Sequence, residues 1–133
     1  MNQYYIYGQK VSKIGTRMSI TANKFGECSQ RKLETLNDVR TLKKIYYSLN
    51  EEFKSQRDDL VKVVAPQIIK ELHDEMVNGY RGYVIGTETM ISALDTEKVG
   101  VKKEVYKRGE AMQADSASKI ANAAKKIADI IVK

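Results

Sequence analysis

The sequence predicts an all-α protein, and three observations lead to that fold class. The chain has 133 residues, which is one domain's worth of protein. It contains a single proline, whereas a sandwich or barrel shows turn residues roughly every 8–12 positions. Apolar residues recur at alternating steps of three and four through the first half of the chain, which is the spacing of a helix that packs lengthwise on another helix.

This apolar repeat begins at Tyr4 and keeps its phase as far as Val63. We therefore predict one long helix over the N-terminal arm, residues 1–78, kinked near Pro66, because proline removes a backbone donor and crowds the preceding turn. A second helix start at Ser48 stays open, since Ser48-Leu49-Asn50-Glu51 matches a capping box.

A hairpin tip is predicted at residues 79–82, because Asn78-Gly79 is a typical helix stop. Residues 83–133 then form the C-terminal arm of an elongated helical hairpin. Gly82 and Gly86 also match a small-xxx-small pattern, which indicates close approach of another helix.

A lone hairpin of this kind leaves its outer apolar residues in water, which costs about 1.5–3 kcal/mol for each large side chain. We expect the hairpin to pair with a second helical hairpin into an assembly like a four-helix bundle. The residues predicted to form the partner interface are Leu33, Leu36, Ile45, Val61, Ile69, Tyr80 and Gly82.

The net charge of +6 is distributed unevenly. Residues 1–50 carry 9 Lys/Arg and 3 Asp/Glu, residues 51–100 carry 6 and 10, and residues 101–133 carry 8 and 4. Basic ends of this kind are typical either of solvated helix faces or of a nucleic-acid-binding surface. The aromatic and basic residues that would serve single-stranded nucleic acid near the N-terminus are Tyr4, Tyr5, Tyr7, Lys10, Lys13 and Arg17.

No residue set predicts catalysis, a cofactor or a metal site. His73 is the single histidine, and its neighbours Asp74 and Glu75 do not share its helix face. Cys28 falls on the apolar repeat and is predicted to be a core residue. The adjacent carboxylate pairs Glu51-Glu52 and Asp58-Asp59 are typical of a solvated helix face.

The C-terminal segment 117–132 is a basic amphipathic helix. Such a helix either closes a bundle with its apolar stripe or lies on an anionic membrane surface. The chain shows neither a signal-peptide pattern nor a stretch of about 18 apolar residues. We expect a cytoplasmic protein, or one exported by a leaderless route.

Three short segments carry a family resemblance. The Tyr-rich start Met1–Tyr7, the triplet Tyr80-Arg81-Gly82 at the predicted tip, and the spacing of Tyr106 and Glu110 are similar to features of the small helical-hairpin proteins of type VII secretion. These are the Trp-x-Gly family and the helical partners of LXG toxins. The resemblance implies a Tyr-xxx-Glu export signal at Tyr106 and Glu110. The chain departs from the Trp-x-Gly family in that it contains no tryptophan.

Together these features predict a non-enzymatic helical interaction protein, a partner or targeting adaptor for another helical protein that is itself exported. The alternative is a nucleic-acid-binding or virion structural protein that uses the basic ends.

Overall fold

A computed structural model describes residues 2–132 and confirms the all-α fold class. The four helices are α1 (Gln3–Cys28), α2 (Leu36–Lys62), α3 (Lys70–Ser92) and α4 (Lys103–Val132), with a 3₁₀ turn at Gln67–Ile69. Extended pairing within the described residues is limited to an isolated antiparallel bridge between Leu94 and Val101. None of the described helices is both long enough and apolar enough to cross a membrane.

The prediction of one continuous helix through the N-terminal arm is wrong, because the chain turns back after Cys28. A capping box begins α2: the Thr35 hydroxyl accepts from the Asp38 N–H at 3.1 Å, and the Asp38 carboxylate accepts from the Thr35 N–H at 3.0 Å. This box satisfies backbone donors that have no partner within the helix. The similar pattern at Ser48 lies inside α2 and starts no helix.

The predicted kink near Pro66 is wrong, because α2 ends at Lys62 and Pro66 lies in the connection to α3. The backbone of Val63 is already extended at the C-cap of α2, and Pro66 then precedes the 3₁₀ turn that leads into α3. Proline disfavours the helical conformation for the residue before it. The chain therefore reverses completely, and Phe53 of α2 packs edge-on against Tyr83 of α3, with ring centroids 4.8 Å apart.

The predicted hairpin tip at residues 79–82 is also wrong, because these residues lie in the middle of α3. The glycines of α3 allow this helix to approach α4 closely. A Cβ atom at Gly79 would lie 2.6 Å from Cγ1 of Ile120, and one at Gly86 would lie 2.9 Å from the carbonyl oxygen of Gly109. The close approach predicted from the Gly82-xxx-Gly86 spacing is therefore confirmed, and α3 and α4 pack along much of their length.

The actual turn between α3 and α4 spans residues 93–102. Gly100 has a φ of +156°, a conformation that L side chains rarely adopt. The Lys102 N–H donates to the Ala93 carbonyl at 2.8 Å and closes the turn.

Aromatic rings join the helices in the core, in which α2 contacts both α1 and α3. Phe25 of α1 stacks on Tyr46 of α2 at 4.0 Å between ring centroids. The Tyr46 and Tyr106 hydroxyls lie 2.8 Å apart and connect α2 with α4. The single chain thus forms the four-helix arrangement that the sequence had suggested for two paired hairpins.

Successive helices run in opposite directions. Arg17 of α1 pairs with Asp59 of α2 at 2.7 Å, and Lys54 of α2 lies 3.9 Å from Glu88 of α3. The start of α1, the end of α2, the start of α3 and the end of α4 therefore meet at one end of the bundle. The opposite end holds the 29–35 and 93–102 loops.

Candidate interaction surfaces

Large apolar side chains remain exposed where α2 turns into α3. Val64 is 87% exposed, Ile68 is 66% exposed and Val61 is 48% exposed. We call this end of the bundle the apolar end. Its other exposed apolar residues come from the start of α1 and the end of α4, and they are Tyr5, Ile6, Ile130 and Val132.

A groove of about 320 Å³ runs beside these residues. Val61 and Val64 line it from the α2 side, and Val77, Asp74 and Arg81 line it from α3. Its wall is therefore apolar where it meets α2 and carries charges of both signs along α3. An amphipathic helix presents a complementary surface, with an apolar stripe and a charged flank.

Several residues predicted for a partner interface are used inside the chain instead. Ile69 is fully buried and Tyr80 is 3% exposed, so neither is available to a partner. Gly82 is half-buried against Ser116 of α4. Tyr80 and Gly82 were predicted at a hairpin tip and Ile69 on an outer apolar face, but all three lie where α3 packs against its neighbours.

The remaining predicted interface residues divide in two. Leu33, Leu36 and Ile45 are half-buried, and both Leu33 and Ile45 pack against the core. Val61 alone among the seven is an exposed residue. Val64 and Ile68 are exposed but were not among the predicted interface residues, although the Val and Ile residues around the single proline were a signal for them.

A second surface lies at the opposite end, which we call the basic end and define as residues 29–47 and 92–108. These segments carry ten Lys or Arg and five Asp or Glu residues, a net charge of +5. None of the ten cations forms an ion pair within residues 2–132, where all the ion pairs involve cations outside these segments. Their charge is therefore left to solvent or to a ligand.

A groove of about 460 Å³ lies at this basic end between α2 and the 93–102 loop. We call it the basic groove. Thr96 lines it from the loop, where its carbonyl accepts from the Arg40 guanidinium at 3.3 Å. The residues that line it from α2 are Asn37, Arg40, Thr41, Lys43, Lys44 and Tyr47.

Three acidic residues lie next in sequence to groove residues: Asp38 and Asp95 have carboxylates that accept backbone hydrogen bonds, and Glu97 is exposed. The Asp38 carboxylate accepts the N–H groups of Glu34 and Thr35, and the Asp95 carboxylate accepts that of Glu97 at 2.9 Å. These backbone hydrogen bonds lower the pKa of both carboxyl groups. Neither carboxylate lines the groove.

The residues of the predicted N-terminal site for nucleic acid differ in their exposure, and Lys10 and Lys13 are exposed. Tyr7 is 2% exposed, and its ring lies in the core. Arg17 is paired with Asp59, which neutralises its charge locally. Tyr5 remains exposed, but its hydroxyl accepts from the Gln9 amide on the same helix.

His73 is buried and contacts Tyr7. Its Nδ1 atom lies 2.7 Å from the Tyr7 hydroxyl of α1, and both groups are buried. Burial lowers the pKa of His73 and raises that of Tyr7 to about 12. The described residues contain no group of three side chains able to hold a metal ion.

The other residues considered for chemistry have ordinary surroundings. Cys28 is partly buried and packs against the core. The neighbouring carboxylates do not converge on a cleft: Glu51 pairs with Lys54, and Asp58 pairs with Arg57. This is the solvated face that the sequence predicts.

The two candidate export residues lie one turn apart on α4. Tyr106 is half-buried with its hydroxyl on Tyr46, whereas Glu110 is exposed. Farther along α4, Ala123 and Ile127 are buried. This part of the apolar stripe of the 117–132 segment therefore faces the inside of the bundle.

No protein-family model matches the chain, and neither a curated protein nor a solved structure shows significant similarity to it.

Proposed function

We propose that this protein is a non-enzymatic interaction protein that binds another helical protein through its apolar end. The observation that carries the proposal is the exposure of Val61, Val64 and Ile68 within eight residues of sequence. Covering each such side chain contributes about 1.5–3 kcal/mol. Exposed apolar side chains that lie close together in the chain are typical of a binding site.

The groove beside these residues supports a helical partner in particular. An amphipathic helix would place its apolar stripe on Val61 and Val64 and its charged flank near Asp74 and Arg81. Such binding needs no rearrangement of the core, because Val64 and Ile68 already face solvent.

The sequence resemblance supports a narrower form of the proposal, in which the partner is a helical protein exported by type VII secretion. In this form, recognition uses the exposed Glu110 and the half-buried Tyr106. A secretion assay in the native host tests it with Glu110→Gln, which leaves the Tyr46–Tyr106 hydrogen bond in place. We expect this variant to lose export of the helical partner. Normal export of the partner would contradict the type VII form of the proposal and leave the main proposal standing.

A photo-crosslinking residue at position 64 tests the main proposal. In the native host it should capture a defined protein, whereas the same residue at position 99 should not. Val99 is a suitable control because it is 49% exposed and lies at the opposite end. Equal capture at both positions, or none at position 64, would contradict binding through the apolar end.

Paired variants then separate binding from folding. Val64→Ser with Ile68→Ser should abolish co-purification of the captured protein and leave thermal unfolding nearly unchanged, since exposed substitutions alter stability by about 0.5 kcal/mol or less. Val99→Ser should change neither property. Retained co-purification by the double variant would reject the proposal.

A further inference from the structure

The basic groove combines positive charge with an exposed aromatic ring. Tyr47 is 61% exposed, whereas its neighbour Tyr46 is fully buried. The cations Arg40, Lys43 and Lys44 line the same groove, and the lining contains no carboxylate. The largely exposed ring of Tyr47 is therefore available to stack on a ligand beside these cations.

We infer that the basic groove binds single-stranded nucleic acid, with phosphates held by Arg40, Lys43 and Lys44 and a base stacked on Tyr47. Cationic grooves with aromatic platforms bind single strands in this way, because every base has a face that can stack. The site is independent of the apolar end and of the function proposed for it.

The cations keep the hydrogen-bonding capacity that phosphate contacts require. Arg40 donates to the Thr96 carbonyl and Lys43 donates to the Leu94 carbonyl at 3.4 Å. Arginine carries five N–H donors and lysine carries three. These contacts therefore orient the two side chains across the groove and still leave donors for phosphate oxygens.

The surrounding charge strengthens the same conclusion. The basic end carries +5 of the net +6 of the chain, and its cations are not neutralised by ion pairs among residues 2–132. A concentrated positive field of this kind attracts a polyanion and raises its rate of association.

The distribution of apolar residues favours nucleic acid over an anionic membrane. Surface binding to a bilayer requires an apolar face buried among the acyl chains. The large exposed aliphatic side chains lie mainly at the apolar end of the bundle. Within the basic end, Val99 is the large aliphatic side chain that is exposed. The ring of Tyr47 favours nucleic acid over an acidic polypeptide, since stacking on bases uses its exposed face.

Fluorescence anisotropy of a labelled deoxythymidine oligonucleotide of about 12 nucleotides tests the inference on the full chain. We expect log Kd to rise with log salt with a slope of about 2, as three phosphate contacts on a single strand predict. Lys44→Gln should reduce that slope by about 0.7. Tyr47→Leu should weaken binding about tenfold without changing the slope, and Tyr47→Phe should retain affinity.

Matched variants at the opposite end provide the controls. Tyr5→Leu and Lys126→Gln alter an exposed tyrosine and an exposed lysine in the same way, and both should bind like the unaltered chain. The groove residues are exposed or half-buried, so circular dichroism and thermal unfolding should be unchanged for every variant. Equal effects of groove and control variants, or no binding at low salt, would overturn the inference.

Competition separates the ligand classes. Unlabelled single-stranded oligonucleotide should displace the probe, whereas poly-glutamate of equal charge and vesicles containing phosphatidylserine should displace it far less. Displacement by either of these at an equal charge concentration would overturn the assignment to nucleic acid.

Discussion

The hydroxyl of Tyr7 lies 2.7 Å from Nδ1 of His73 and joins the start of α1 to α3 inside the protein. The neutral imidazole either accepts from the Tyr7 O–H or donates to the Tyr7 oxygen, according to its tautomer. The Leu60 carbonyl at the end of α2 lies near the same ring. The buried contact between Tyr7 and His73 therefore connects α1 with α3 at the apolar end.

This arrangement predicts that acid weakens the fold. Burial lowers the pKa of His73 from the ordinary value of 6.5, so the unfolded chain takes up this proton at a higher pH than the folded chain. The contribution to stability is full above pH 6.5 and falls as pH drops from there toward the folded-state pKa. Urea unfolding at closely spaced pH values between about 7.5 and 5 measures it.

His73→Gln is the matched variant for that pH series. It should be less stable than the unaltered chain at neutral pH and show a much flatter profile below it. Carboxyl groups such as Asp38 and Asp95 have lowered pKa values, so their contribution is lost only at more acidic pH. An unchanged slope in the His73 variant would contradict the role assigned to the imidazole.

Tyr7→Phe should cost about 1–3 kcal/mol of unfolding free energy, because it leaves Nδ1 of a buried histidine without a partner. Tyr5→Phe removes the same hydroxyl from a ring that is 54% exposed, and its effect should stay within about 0.5 kcal/mol. Chemical denaturation at pH 7.5 compares the two. Similar losses for both variants would show that the Tyr7 hydroxyl is not a buried contact.

Replacing a glycine by alanine should lower the free energy of unfolding in α3 and α4 and raise it in α1. A Cβ at Gly109 would lie 2.7 Å from the Gly86 carbonyl oxygen, so Gly109→Ala must separate the helices and should cost about 1–3 kcal/mol or more. Gly15 has no atom within 4 Å of the same position, and Gly15→Ala should stabilise by about 0.5–1 kcal/mol. Urea midpoints measure both, and stabilisation by Gly109→Ala would contradict the close contact.

The start of α2 can be tested with two hydroxyl residues. Thr35→Ala should cost about 0.5–2 kcal/mol, because the cap supplies an acceptor to the Asp38 N–H. Ser48→Ala lies at an exposed position inside α2 and should be neutral or slightly stabilising. Thermal unfolding distinguishes them. A larger loss at Ser48 would place the helix start where the structure does not.

The fold class was predictable, and the helix ends were not. The apolar positions from Tyr7 to Phe25 in α1, and from Val39 to Leu60 in α2, form the buried stripes of these helices with the spacing that the sequence shows. The repeat kept its phase across residues 29–35, so it carried no sign of the turn there. The decisive signal was Thr35-Leu36-Asn37-Asp38, a capping box in which aspartate takes the usual place of glutamate.

Which residues are exposed at the candidate sites depended still more on tertiary contacts than the helix ends did. The sequence indicated more apolar residues than a hairpin can bury and a positive net charge. In the folded chain these correspond to the apolar end and the basic end. It misassigned Ile69 and Tyr80 to the outside, because the position of α3 against α2 and α4 decides which apolar residues are covered. It also placed the tyrosine-rich basic site at the N-terminus, where Tyr7 is buried, and did not single out Tyr47.

The sequence by itself determined that this chain is helical and which stripe of each of its first two helices faces inward, because helical periodicity depends on neighbours three and four residues apart. Only the tertiary structure decided where the chain reverses, which glycines bring α3 and α4 together, and how the two exposed surfaces are separated. Those features follow from contacts between residues far apart in sequence, such as Gly86 with Gly109 and Tyr7 with His73. No local spacing encodes such contacts.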